Sequence, residues 1–402
     1  MTLFDAVADL PLVVDDYRLR RHERDTSSGF TRVTTVFELH GDGHVGRGED
    51  VTYDADDHDA LQAAHDFDFE GEYTFAEFSA MLDDVELFPK PPGQTAARHY
   101  RRWGVESAAL DLALRQAGTN LGDALDRSYD PVRFVVSTRL GEPPTFDRIE
   151  ATQAVTPTAE FKLDPVSAWH DDLVAQLADT DAVRLLDLKG QYEGTEVDQP
   201  PDPGLYRRVL EGFPDAVVED PALTDETRSL FDGEEHRVSW DYPVTGVESV
   251  ENLPFEPDWL NIKPSRFGTA ESLLDTLGYC ADHDISRYGG GQFELGVGRG
   301  HIQALASLFY ADAPNDVAPG ATTTRTSTTT SRPVHSHRRP TRPASSSPLL
   351  APGQPSVRPL VAVVRGREVL RQPVEPTLRR RRPLLRLRRP IGERAEGVTT
   401  DA

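Results

Sequence analysis

Five ionisable residues stand at intervals that suit one shared site: Lys162, Asp187, Glu219, Asp241 and Lys263, spaced 25, 32, 22 and 22 residues apart. Each ends or follows a short apolar run, which expects all five at strand ends. Lysine is the most telling type. The chain has four, Lys90, Lys162, Lys189 and Lys263, and the last three fall at or just past such runs. An ammonium can give up a proton near neutral pH, which arginine cannot, because the guanidinium stays protonated. Asp187, Glu219 and Asp241 offer hard oxygen ligands of the kind Mg2+ or Mn2+ takes, with substrate oxygens or water completing the shell. A lysine on each side could act as general base or acid if burial and a nearby cation lower its pKa toward neutrality. A divalent ion supplies that charge and stabilises an enediolate as a Lewis acid. The expected chemistry is proton abstraction next to a carboxylate, and the expected partner is a small-molecule carboxylate.

To bring these residues together the chain must repeat one unit. Short runs rich in Val, Ile and Leu recur at 134–137, 161–163, 183–186, 216–218, 238–240, 260–262 and 285–288, with helix-like stretches such as 168–178 and 270–283 between them. That alternation predicts parallel βα units. Seven or eight units in about 180 residues fit a (β/α) barrel better than an open sheet, and a barrel gathers strand C-termini at one mouth. The barrel is expected over residues 129–318. Residues 1–128 read as α+β: a strand at 33–39, a turn at Gly41-Asp42-Gly43, a returning strand at 45–49, and a helix at 100–116 stopping at Gly118. In that helix Val105, Ala108, Ala109 and Leu112 repeat at helical spacing. The fold class is α/β, a modified TIM-type barrel behind an N-terminal α+β domain.

At 402 residues the chain exceeds one ordinary core. Its single cysteine, Cys280, permits no internal disulfide. It has no apolar stretch long enough to span a bilayer, and its start does not read as a secretory signal. A cytoplasmic setting without a membrane partner is therefore expected. The net charge of −24 joins two unlike parts. Residues 321–402 hold 17 Arg and 5 acidic residues, which leaves 26 basic against 62 acidic residues in the rest. The acidic body would repel nucleic acid and suits a salt-loving source. The stretch 319–402 has no Phe, Trp or Tyr, and its Arg, Pro, Ser and Thr cannot bury enough to offset ordering entropy. It reads as disordered, or as an out-of-frame translation of a GC-rich gene; a basic arm for nucleic acid is the competing reading.

The motifs resemble the enolase superfamily, in the branch of muconate-lactonizing enzyme, o-succinylbenzoate synthase and N-acylamino acid racemase. The resemblance spans roughly residues 20–312. Its K-x-K element is matched by Glu160-Phe161-Lys162, with Glu160 in place of the first lysine. Its metal elements are matched by Asp187-Leu188-Lys189, Glu219-Asp220-Pro221 and Ser239-Trp240-Asp241-Tyr242, with Lys189 where the family has Asn. Asn261-Ile262-Lys263-Pro264-Ser265-Arg266 matches the sixth-strand lysine, and Gly290-Gly291-Gln292-Phe293-Glu294 with Gly298-Arg299 matches a glycine-rich element.

The resemblance implies catalytic Lys162 and Lys263, metal ligands Asp187, Glu219 and Asp241, and substrate contacts at Ser27, Lys189, Gly290, Gly291 and Glu294. It implies a capping domain whose loop, residues 22–29, covers the barrel mouth. Even-numbered homo-oligomers are usual in the family. The implied reaction is a racemisation or epimerisation, or an elimination or cycloisomerisation of the o-succinylbenzoate synthase kind. Lys189 is either a third ammonium for substrate or a salt-bridge partner, and the cost of unpaired buried charge favours the bridge. His170 and His301 read as surface residues and Cys280 as core. The alternative class is a protein that binds metal without turnover.

Overall fold

Two kinds of apolar patterning divide the chain, one for antiparallel hairpins and one for parallel strands buried on both faces. The computed structural model describes residues 2–26, 30–192 and 198–317. Ser27 and the stretch 319–402 lie outside them. The first half contains β1 (Pro11–Val14), β2 (Asp16–Asp25), β3 (Thr31–Gly41), β4 (His44–Asp50) and β5 (Gly71–Thr74). Strands β2, β3 and β4 form an antiparallel sheet, and β1 pairs with β5. The β3–β4 hairpin turns at Asp42-Gly43, both at positive φ, as the twist of a two-residue hairpin requires.

The helix Ala97–Gln116 packs across β4. Its residues Val105, Ala108, Ala109 and Leu112 are fully buried, as their spacing expects. Gly48 lets the two backbones meet, since a Cβ there would fall 2.1 Å from the Gly104 carbonyl oxygen. The sequence reading placed His22, Glu23, Arg24 and Asp25 in a loop. They belong instead to β2, paired with Thr34, Val33, Arg32 and Thr31. Strand β2 has no fully buried residue, so no apolar alternation marked it in the sequence.

Seven parallel strands follow: β6 (Val135–Thr138), β7 (Glu160–Leu163), β8 (Val183–Asp187), β9 (Val217–Glu219), β10 (Val238–Trp240), β11 (Trp259–Ile262) and β12 (Ser286–Gly289). They pair in chain order from β6 to β12. Asn315 bridges to Phe134 beside β6 and Asp316 bridges to Gly290 beside β12, so the chain returns between the two sheet edges and completes a modified (β/α) barrel. Helices Asp147–Val155, Asp171–Ala178, Pro203–Gly212, Val247–Glu251, Ala270–Asp282 and Gly298–Phe309 lie between or after the strands. Between β9 and β10 only 3-10 turns intervene.

The main apolar core unites strand residues such as Phe161, Leu186 and Ile262 with helix residues such as Leu173, Val209 and Leu277. A second, small cluster of Val135, Leu185, Val217 and Tyr288 fills the barrel interior. Burial on both faces explains the near-continuous apolar strands. Among the described residues, no helix is long and apolar enough to cross a membrane.

Candidate active site

The five residues that opened the sequence reading do converge at the C-terminal ends of neighbouring strands. Asp187 and Glu219 end β8 and β9 and are direct register partners. Asp241 follows β10, Lys162 is the third residue of β7, and Lys263 follows β11. The three carboxylates thus stand on the three strands between the two lysine strands.

Each carboxylate carries its own ammonium. Lys162, 3% exposed, places Nζ 2.6 and 2.7 Å from the two Glu219 oxygens and 3.5 Å from Asp187 Oδ2. Lys189 Nζ donates to Asp187 Oδ2 at 2.6 Å, and its backbone N–H donates to Asp187 Oδ1 at 3.1 Å. Lys263 Nζ donates to Asp241 Oδ2 at 2.6 Å. Buried opposite charges in this geometry repay desolvation only when hydrogen bonded, as these are. The expectation of a salt bridge at Lys189 matches this arrangement.

Burial presses the Lys162 pKa down, but the carboxylates of Glu219 and Asp187 outweigh burial and hold it well above the ordinary lysine value. The lowering toward neutrality expected beside a bound cation is a separate state, in which that cation takes up the carboxylate charge. Glu219 is pushed up to about 7 by burial and by repulsion from Asp187 and Asp241, against the pull of Lys162. Burial works against the Asp241 charge, yet Arg266 and Lys263 hold that carboxyl down at about 2.

The sequence reading missed several members. Asn261, two residues before Lys263 and on the same strand face, donates Nδ2 to Glu219 Oε1 at 3.3 Å. That period-two spacing was the available signal. The Tyr288 hydroxyl donates to Glu219 Oε2 and is 2.9 Å from Ser239 Oγ. Tyr192 donates to Asp241 Oδ2 at 2.7 Å, and Arg266 Nε lies 3.2 Å from Asp241 Oδ1. Asp220 accepts the N–H groups of Asp241 and Tyr242 at 2.8 and 2.9 Å, which fixes the loop after β10. Asp316 reaches within 3.8 Å of Lys162 Nζ from the returning chain.

Other candidates fall elsewhere. Glu160 pairs with Arg133 at 2.5 Å and Arg184 at 2.7 Å, at the opposite end of β7. Gly290 has a structural use at the site: a Cβ there would lie 2.4 Å from Asn261 Oδ1 and 2.6 Å from Lys263 Cε. Its N–H is spent on the Ile262 carbonyl at 3.0 Å, so it is not a free anion donor. Glu294 turns back on its own loop, accepting the Gln292 N–H at 2.7 Å and pairing with Arg299 at 3.5 Å; Gly291 packs beside it. His170 is exposed and caps the helix Asp171–Ala178. His301, expected at the surface, is instead buried, and Cys280 is core as expected.

The antiparallel half closes over this mouth. Arg32 donates to the carbonyls of Val51, Thr52 and Gln292, tying β3 to the loop after β12. Tyr53 donates to Gln292 Oε1 at 2.7 Å. Phe30 meets Phe293 edge-on, ring centres 5.3 Å apart. Glu49 accepts the N–H groups of Leu295, Gly296 and Gly298 at 2.7 to 3.0 Å, at the start of the last barrel helix.

The donor set suits a hard divalent cation: three carboxylates at adjoining strand ends, with the buried Asp241 Oδ1 accepting no hydrogen bond among the described residues. As they stand, no three acidic, histidine or cysteine side chains among the described residues are in ligating geometry. Each of the three carboxylates is turned onto its lysine.

The comparisons with known proteins agree with this fold. Residues 5–124 match the N-terminal domain, and residues 128–323 the C-terminal domain, of a family described as a domain of unknown function, DUF8230. An o-succinylbenzoate synthase from Bacillus subtilis is 24% identical over 226 residues, which span 54% of this chain and 58% of the relative. Similar solved structures include an unknown member of the enolase superfamily from Enterococcus faecalis, at 17% identity and TM-score 0.54, covering 76% of this chain and 86% of that one. A dipeptide epimerase from Enterococcus faecalis shares 16% identity at TM-score 0.55, covering 76% and 90%. The chain belongs to the DUF8230 family, joining its N-terminal and C-terminal domains, and it shares the fold of enolase-superfamily structures.

Proposed function

We propose that the chain is an enzyme that removes the proton alpha to a substrate carboxylate, as an isomerase or a lyase, with Lys162 and Lys263 as its proton-carrying groups. The observation that carries the reading is the strand order. Two nearly buried lysines flank three carboxylates on the strands between them, at one end of the barrel. Asp187, Glu219 and Asp241 would hold a divalent ion, most simply Mg2+. Bound there, the ion would neutralise the substrate carboxylate and withdraw carboxylate charge from the lysines.

The lysines do the remaining work. A deprotonated lysine on one face takes the α-proton and becomes an ammonium. The lysine on the other face either returns a proton, which inverts the carbon, or stays charged while a β-substituent leaves. Asn261 and Tyr288 keep Glu219 oriented, and Asp220 fixes the backbone that carries Asp241. The cap contacts at Arg32 and Tyr53 tie the antiparallel half to the loop after β12.

The test is solvent exchange. In D2O with Mg2+, a panel of carboxylates carrying an acidic α C–H should include one that exchanges that proton. Lys162→Ala and Lys263→Ala should each lose at least about a thousandfold of the exchange from one enantiomer, in line with removal of a general base. Undiminished exchange of both enantiomers in both variants would refute these roles.

A further inference from the structure

Lys189 is not accounted for by the proton-transfer reading, which needs only Lys162 and Lys263. It stands where the resemblance expects an asparagine, and it is built to hold Asp187 from both sides. Its φ of +52° places it in the left-handed region, unusual for a residue with a long side chain. That turn brings its backbone N–H to Asp187 Oδ1 at 3.1 Å and its ammonium to Asp187 Oδ2 at 2.6 Å. Both carboxylate oxygens of Asp187 are thereby engaged. Lys189 also has a second acid in reach: Asp164 Oδ2 lies 3.5 Å from the same Nζ. Asp164 is held in place by Arg139 at 2.9 Å.

We propose that Lys189 is an internal cation that competes with the divalent ion for Asp187, and that Asp164 is where its ammonium rests when the ion is bound. The inference rests on the metal-ligand reading of Asp187 given above. The physical basis is exchange of like for like. A carboxylate nine-tenths or more buried needs a positive partner, and Lys189 supplies one until a metal ion arrives. The ion must then displace an ammonium rather than water, which weakens its apparent affinity. The move is small, because Nζ already lies between the two acids. Asp164 lowers its cost by leaving no ammonium buried without a partner.

The experiment is calorimetric titration of the full-length chain with Mg2+ alone, with no substrate and no turnover measured. Lys189→Asn keeps a residue that tolerates positive φ. It should bind Mg2+ at least about tenfold more tightly, a difference worth about 1.4 kcal/mol. Asp164→Asn removes the resting place and should bind at least about threefold more weakly, by the same relation. The double variant should resemble Lys189→Asn, because Asp164 then has nothing to receive; such non-additivity marks two residues acting on one event. Circular dichroism confirms folding of each variant, and if Lys189→Asn fails to fold, Asp164→Asn decides alone. Equal or weaker binding by Lys189→Asn, or unchanged binding by Asp164→Asn, overturns the competition while leaving the metal site standing. Absence of Mg2+ binding in every variant, including the unaltered chain, overturns both this inference and the metal-ligand reading.

Discussion

His301 shows how a single residue can set the acid limit of this protein. It is 1% exposed, neither ring nitrogen has a hydrogen-bond partner among the described residues, and apolar side chains including Trp103, Leu110, Leu273 and Leu305 surround it. Burial dominates and pushes its pKa down to about 4, with Arg115 adding to the shift and Asp111 opposing it. The unfolded chain has an ordinary histidine near pH 6.5. The unfolded state therefore binds the proton first as pH falls, and stability is lost between about pH 6.5 and 4 while it is level above that window. A depression of that size corresponds to about 3 kcal/mol over the whole window. His301→Leu should flatten this limb of the stability curve and stabilise the protein at pH 5, measured by urea unfolding at a series of pH values. An unchanged limb would mean that His301 finds a partner when it charges. In the sequence His301 looked like an ordinary polar residue on a helix. Its neighbours come from the helices Ala97–Gln116 and Ala270–Asp282, far apart in the chain, so burial there was invisible to a local reading.

At the scale of elements, legibility followed the range of the interactions. The inner parallel strands announced themselves because burial on both faces leaves apolar runs of similar length, and the helix Ala97–Gln116 because its buried positions keep a helical period. Strand β2 was hidden because its side chains are exposed or half-buried, so nothing but pairing with β3 makes it a strand. At the site, Lys162, Asp187, Glu219, Asp241 and Lys263 were legible because one strand-to-strand connection separates each neighbouring pair. Asp316 arrives on the returning chain, Tyr192 on a loop and Arg266 on the short helix Pro264–Phe267, whose direction no pattern encodes. The clamp made by Glu49 belongs to the same hidden class. Its carboxylate, 1% exposed, joins the end of β4 to three backbone N–H groups at the start of the helix Gly298–Phe309. Hydrogen bonds to a charged acceptor are worth about 1.5–3 kcal/mol each when removal strands the donors. Glu49→Ala should therefore cost about 3 kcal/mol in urea unfolding and release the loop 290–298 to faster amide exchange. A loss below about 1 kcal/mol, with exchange of that loop unchanged, would show that water replaces the carboxylate without penalty.

The whole molecule carries an imbalance that its individual ion pairs do not remove. Outside the arginine-rich stretch 321–402, 62 acidic residues face 26 basic ones. Many of the basic side chains are already committed: Arg101 to Asp50, Arg102 to Glu106, Arg184 to Glu160, and three of the four lysines to the site. The surplus negative charge is therefore spread over the surface, where each like pair about 10 Å apart repels by about 0.4 kcal/mol in unscreened water. Individually these are small, but dozens act together and all favour the expanded chain. At 0.1 M salt the screening length is about 10 Å, so most such pairs still interact; at 1 M it is about 3 Å and they do not. The thermal midpoint should accordingly climb by several degrees between about 0.1 and 1 M KCl and then level, because screening is complete. Preferential exclusion of a cosolvent behaves differently, continuing to stabilise as its concentration rises. A scan of unfolding temperature against KCl from 0.1 to 3 M, paired with a scan in sucrose, separates the two. A midpoint that is flat in KCl, or that rises linearly to the end as in sucrose, would mean that the surface charge is not what limits the stability of this fold.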